Sequence, residues 1–416
     1  MLASTGPLHI TRSGENALST NVSGASHLVS LRPIGLGALS AVMVLGYAGG
    51  LAMPFNMQAI SNHFQTSQTM TGAIAAAELL AISITSFVTA RYAARIDVRK
   101  GIGAGVLLIL LANLATLMVP NIALLAVVRV IAGLGAGPAI ALTMSLAGRS
   151  DNPRITFGVT NSAIGVMGMF LSQCVPLSME VWGMNGAYGF YALCGLIALP
   201  LVLLVPSPPP ARPQATSDDG DAPVARIPAS GWAALIGLAL ILLGNGVLMM
   251  LIFIIGTERH IEPATLRLIF FIASAAMAVG PLVAGVLGSK VSAVMPIGII
   301  VAALAVCAWL LGSREEASVY IICGPLFAVL PILMLPIALA AFSLVDPSGR
   351  MAGTFPSFMT FAAAFAPFIG GSVKDHLGGY PAVGWVAVVC TIVGGVLLAR
   401  LAAQADRIRK QQIAFA

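Results

Sequence analysis

Charge is scarce in this sequence. Asp, Glu, Lys and Arg together make up 9% of its 416 residues, where a soluble domain carries roughly a quarter. With 58% hydrophobic residues and a mean hydropathy of +0.96, the chain cannot hide its apolar surface in a water-facing fold, so it reads as a polytopic membrane protein. Short alternating strands are lacking too, which excludes an outer-membrane barrel; the apolar runs are continuous and about 20 residues long, the length of membrane helices. No G-x-x-x-x-G-K-[ST] loop occurs, so the chain does not hydrolyse ATP through a P-loop. The five cysteines, Cys174, Cys194, Cys307, Cys323 and Cys390, lack CxxC or metal-ligand spacing and read as small packing residues. Clustered acids, bases and nucleophiles are missing at membrane depth. An enzyme is therefore not expected, nor a catalytic residue, a metal or a cofactor.

Twelve runs are present, at 34–57, 70–92, 102–119, 122–148, 155–177, 184–205, 231–256, 264–287, 294–312, 318–345, 351–373 and 381–403. They define an all-α membrane protein with a polar N-terminal tail (1–33), a six-helix bundle (34–205), a Pro- and Asp-rich linker (206–230), a second six-helix bundle (231–403) and a C-terminal tail (404–416). The tail lacks the apolar core of a signal peptide and reads as disordered. With Arg129 set aside, sixteen Lys and Arg fall in one set of loops and tails; the other set holds only Arg259, Arg267, Arg314 and Lys374. This asymmetry accounts for the pI of 9.3 without nucleic acid, and it places both termini and the linker in the cytoplasm of a cell (inner) membrane protein.

The halves repeat. A shift of about 196 residues carries span one onto span seven, span four onto span ten, Arg154 onto Arg350 and Gly183 onto Gly379. Parallel six-span repeats place a substrate site between the halves near the midplane.

Away from the span ends, the runs keep one acid, Glu78, and one base, Arg129. An ionised group at mid-bilayer costs roughly 2.5 to 3.5 kcal/mol even on the lenient insertion scale. Counted along their helices, both lie roughly 10–12 Å from the same face of the membrane, which permits a direct or a water-bridged ion pair. Thr85 and Thr89 share the face of Glu78 and extend it as a polar stripe. Three readings stand side by side, one of them that the two side chains do not touch. Glu78 takes up a proton when substrate or conformation parts it from Arg129, or the two form a static clamp.

Arg129, Gly133 and Gly137 fall on one helical stripe, and the glycines allow close approach of a neighbouring backbone. Arg129-Val-Ile-Ala-Gly133-Leu-Gly135 resembles the R-x-x-x-G-x-G pattern of the major facilitator superfamily, and the twelve-span repeat resembles that family over essentially the full chain. The loop between spans two and three matches the family's G-x-x-x-D-R-x-G-R-K only at Arg99-Lys100; Arg91 and Arg95 hold the Gly and Asp positions. The antiporter pattern of span five is mostly missing, while Pro367-Phe-Ile-Gly370-Gly371 lies in span eleven. The resemblance implies two pseudo-symmetric bundles, alternating access and secondary active transport of a small organic solute. It also implies that Arg129 is linked to proton transfer, as in the family's proton-coupled exporters.

By the same resemblance, spans one, four, seven and ten line the cavity. Candidate substrate contacts are Tyr47 and Asn56 in span one, Asn161 in span five, Asn245 and Met249 in span seven, and Phe361 and Phe365 in span eleven. Tyr47, Pro54 and Gln58 are spaced as one helical face, and Phe355, Phe358, Phe361, Phe365 and Phe368 as another. Asn245 has an interhelical hydrogen bond as its alternative role, and the phenylalanines have packing. Gly133, Gly137, Pro331, Pro336, Arg99 and Lys100 are candidates for gating or packing. The expected partners are a small-molecule substrate, protons and the lipid bilayer, with no nucleic acid, for a chain acting as a monomer. Export of hydrophobic or aromatic compounds is the leading direction. Uptake of an organic acid, and a non-transporting sensor of the same fold, are the alternatives.

Overall fold

The computed structural model describes residues 30–93, 95–151, 153–207, 227–287, 292–346 and 350–414. Most of the N-terminal tail and of the 206–230 linker lies outside these residues. The described chain is helical. α1 (Pro33–Leu51), α2 (Met53–Phe64), α3 (Gln68–Tyr92), α4 (Val98–Thr116), α5 (Ile122–Gly148) and α6 (Pro153–Leu201) build the first half. α7 (Ala229–Met249), α8 (Ile252–Glu258), α9 (Pro263–Leu287), α10 (Val294–Ser313), α11 (Ala317–Val345), α12 (Arg350–His376) and α13 (Gly379–Ala414) build the second.

Local chemistry sets the helix starts. Ser67, Asp97 and Asn121 stand at the N-caps of α3, α4 and α5 and accept from the backbone N–H groups of Met70, Lys100 and Leu124. Ten helical segments among the described residues are long and apolar enough to cross a membrane. One of them, Ile155–Leu204, has 50 residues, more than twice the length a bilayer needs. It folds back at Gly183, whose φ of 56° is open to glycine at little cost. Its two arms are spans five and six, and α12 is span eleven. The equivalent reversal in the second half is made by Gly378 and Gly379, at φ 106° and 75°.

Spans one and seven are each broken. α1 gives way to α2 at Ala52 (φ −99°, ψ 13°), and α7 to α8 at Leu251 (φ −97°, ψ −6°). Pro54, which lacks an N–H and clashes with the preceding turn, explains the first break. The second has no proline and follows Gly244-Asn245-Gly246. Of the residues expected on one face, Tyr47 belongs to α1, whereas Pro54 and Gln58 belong to α2, beyond the break. α13 continues through Ala414, as its Ala-, Gln-, Lys- and Arg-rich sequence favours. α11 stays helical across Pro331 and Pro336.

The halves meet along α3 with α12 and α6 with α9. They are sealed at the arginine-poor end. There the Phe55 ring meets Phe253 at 4.6 Å and Phe270 at 4.6 Å, and Gln58 Nε2 donates to Thr257 Oγ1 at 3.0 Å. Thr69 N–H and Oγ1–H both donate to Asp375 Oδ2, at 2.6 and 2.7 Å, and Arg267 pairs with Glu180 at 2.8 Å.

Candidate functional site

Glu78 on α3 and Arg129 on α5 are brought together. Arg129 Nη1 lies 3.7 Å from Glu78 Oε1, with side-chain exposures of 2% and 7%. The glycine stripe allows it. A Cβ on Gly133 would sit 2.5 Å from the backbone oxygen of Glu78, and Gly137 has no room for one beside Thr85 and Ile82. α3 and α5 therefore touch backbone to backbone where the pair lies.

The guanidinium is held from several sides. Its Nη2 reaches Ala112 O and Asn113 Oδ1 at 3.2 Å each and donates to Thr116 Oγ1 at 2.7 Å. Its carbon lies 4.5 Å from the centroid of the Tyr188 ring, a cation–π distance. Glu78 faces α1, where a Cβ on Gly49 would come within 3.2 Å of its Oε1. Nearby, Tyr191 OH donates to Asn56 Oδ1 at 2.8 Å, and Asn56 Nδ2 donates to Gly49 O at 3.2 Å. The pair thus sits inside the first half, enclosed by α1, α3, α4, α5 and α6, rather than on the seam between halves.

Several sequence expectations change with this geometry. Asn56, expected on a substrate wall, is 1% exposed, and its amide ties α2 to α1 and α6. Asn245 Nδ2 donates to Phe327 O at 2.8 Å, the interhelical alternative, and Asn161 Nδ2 donates to Phe157 O of its own helix at 2.8 Å. Thr85 does not continue a polar stripe from Glu78, because its hydroxyl turns back to Ala81 O at 2.6 Å. Tyr47 and Met249 are partly buried. The phenylalanines of α12 divide. Phe355 is buried against Phe342 and Phe358 packs near Trp232, while Phe361 is 61% exposed and lies 4.7 Å from Phe365.

Away from the pair, Arg99 Nε donates to Val205 O at 2.8 Å, and Asp97 Oδ1 accepts from Lys100 N–H and from Ser207 Oγ–H at 3.0 Å each. The Lys100 backbone N–H, followed by the Ser207 hydroxyl, holds the Asp97 carboxyl below the usual carboxylate range. Thr116 and Tyr188 are site residues that sequence reasoning missed. Their signal was the i, i+3 spacing of Asn113 with Thr116 and of Tyr188 with Tyr191, which puts each pair on one helical face.

Comparison with known proteins agrees with this architecture. The family model described as Major Facilitator Superfamily matches residues 38–235. The fold is similar to that of a bacterial homolog of the human lysosomal transporter Spinster, solved inward-facing and unoccupied. That structure is 13% identical, covers 91% of this chain and 98% of its own, and gives a TM-score of 0.66. The human organic anion transporter MFSD10 (TETRAN) is 14% identical over 88% of this chain and 99% of its own, with a TM-score of 0.61. A peptide transporter POT in complex with sulfate is 13% identical over 92% of this chain and 98% of its own, with a TM-score of 0.69. At such identities the likeness is one of fold. No curated protein sequence matches.

Proposed function

We propose that this chain, whose residues 38–235 match the Major Facilitator Superfamily model and whose fold is similar to that of solved transporters, works by proton-coupled alternating access with Glu78 as the proton-binding group. The observation that carries this reading is the pair itself. An acid and a base are retained at membrane depth, at low exposure and 3.7 Å apart, a separation at which a small shift of α3 against α5 changes what the carboxylate faces. Protonation of Glu78 releases its hold on Arg129, which stays anchored to α4 through Thr116 and Asn113. Proton binding is thereby tied to the packing of α1, α3 and α5.

Export of hydrophobic or aromatic compounds is the direction we favour. Exposed Phe361 beside Phe365 offers an aromatic surface in span eleven, and the spans contain no charge beyond the pair except at their ends. Uptake of an organic acid is less well supported, because the guanidinium of Arg129 already faces Thr116, Asn113, Tyr188 and Glu78. The test is counterflow of a labelled solute in proteoliposomes, the solute chosen by a thermal-shift screen across neutral aromatic, cationic and carboxylate compounds. Accumulation of a neutral or cationic aromatic driven by a pH gradient supports the reading. Counterflow confined to carboxylates, or indifferent to the gradient, contradicts it.

A further inference from the structure

The Glu78–Arg129 separation is longer than a hydrogen bond. Charge-assisted N–H···O contacts close to about 2.7–2.9 Å, whereas Nη1 stands 3.7 Å from Oε1. No hydrogen-bond donor among the described residues reaches the Glu78 carboxylate, and Arg129 Nε also has no acceptor. A buried carboxylate without donors is costly, and natural interiors rarely keep one. Beside it is a cavity of about 20 Å³ lined by Glu78, Arg129, Asn113, Tyr191, Gly49 and apolar neighbours. A water molecule needs roughly 10–15 Å³ of such space and two to four polar partners.

We propose that this cavity is a binding site for one water molecule, and that the ion pair is water-bridged. The water donates to the Glu78 carboxylate and accepts from Arg129 Nη1 or from the amide of Asn113, whose Oδ1 is already engaged by Arg129. Tyr191, whose phenolic O–H donates to Asn56 Oδ1, lines the same cavity. A sodium ion fits the volume less well chemically, because it would sit against the guanidinium and find few oxygen ligands. Gly49 keeps the site open: any side chain there projects onto Glu78 Oε1 from 3.2 Å. The water site concerns the same pair as the proton-coupling reading. It rests on that reading only for its consequence, a ready proton donor next to Glu78.

The experiment is a structure of the full chain at a resolution that shows ordered water, with Gly49→Ser determined alongside. A peak within hydrogen-bond distance of both Glu78 and Asn113 or Arg129, lost in Gly49→Ser where the new hydroxyl replaces it, is the expected result. Direct Glu78–Arg129 hydrogen bonding with no peak overturns the proposal. So does a peak with metal-length oxygen contacts, or a melting temperature that rises in sodium chloride over choline chloride. Should Gly49→Ser fail to fold, the native map alone decides. Because these outcomes are read without transport, they remain separate from the outcome for proton coupling.

Discussion

Phe55 of the first half meets Phe253 of the second edge to face, with ring centroids 4.6 Å apart. Each follows the break in the first helix of its half, at Ala52 or Leu251. Gln58 and Thr257, 199 residues apart, repeat the relationship one turn further on. The two halves thus close on each other at the arginine-poor end, with Phe270 packed against both rings. Asp375 of the second half adds to the seal by capping α3 of the first, accepting from Thr69 N–H and Oγ1–H.

An aromatic pair contributes about 0.5–1.5 kcal/mol beyond its buried area. Phe55→Ala should therefore shift the open-to-closed ratio at this end by roughly 2- to 13-fold, and Asp375→Ala should shift it in the same direction. The readout is labelling of Thr257→Cys by a membrane-impermeant maleimide, in a background where the five native cysteines are replaced. The label should react faster in both variants, and an unchanged rate would count against these contacts as a seal.

Gly133 lies where α5 touches the backbone of Glu78. Gly133→Ala inserts a methyl group into that contact and should destabilise the protein by about 1–3 kcal/mol, the usual range for overpacking. Thermal unfolding in detergent reads it directly. Gly158→Ala is the control, since no neighbouring atom stands within 4 Å of where its methyl group would go.

The Asp97 cap predicts a pH dependence at the α3–α4 loop. Its carboxyl is held below the usual range by the Lys100 N–H. The stabilisation is therefore fully present above the unfolded-state value and is lost as pH falls through the lowered folded-state value. Asp97→Asn should remove that acid dependence. Hydrogen exchange at the first turn of α4, compared at neutral and acidic pH, checks it.

Much of the fold was legible in the chain. Span lengths, the reversals at Gly183 and Gly379 and the close approach at Gly133 and Gly137 follow from apolar run length, positive-φ glycine and helical spacing. The site was legible only in part. Depth along a helix places Glu78 and Arg129 at one level, but it does not give the rotation of each helix, and rotation turned the pair into the first half. Thr116 and Tyr188 escape notice because a threonine and a tyrosine are ordinary in a span until a guanidinium is placed beside them. Asn56 and Asn245 look like free amides in the sequence, yet their donors are taken by carbonyls that only the folded chain brings near. The break at Leu251 has no proline to announce it.

Clamp and coupling part in the pH dependence of transport by a double variant that keeps its stability. Removing one member of a buried ion pair costs about 3–5 kcal/mol, while removing both costs far less. Arg129→Gln should unfold at a markedly lower temperature, and adding Glu78→Gln should recover most of the loss. A purely structural clamp would leave that double variant transporting with the native pH dependence.

The most direct measurement is solute flux in proteoliposomes carrying Glu78→Gln, with and without an imposed pH gradient. If Glu78 binds the coupled proton, exchange of labelled for unlabelled solute persists, and the response to the gradient is lost. A Glu78→Gln protein that still drives its solute with the pH gradient would contradict the account.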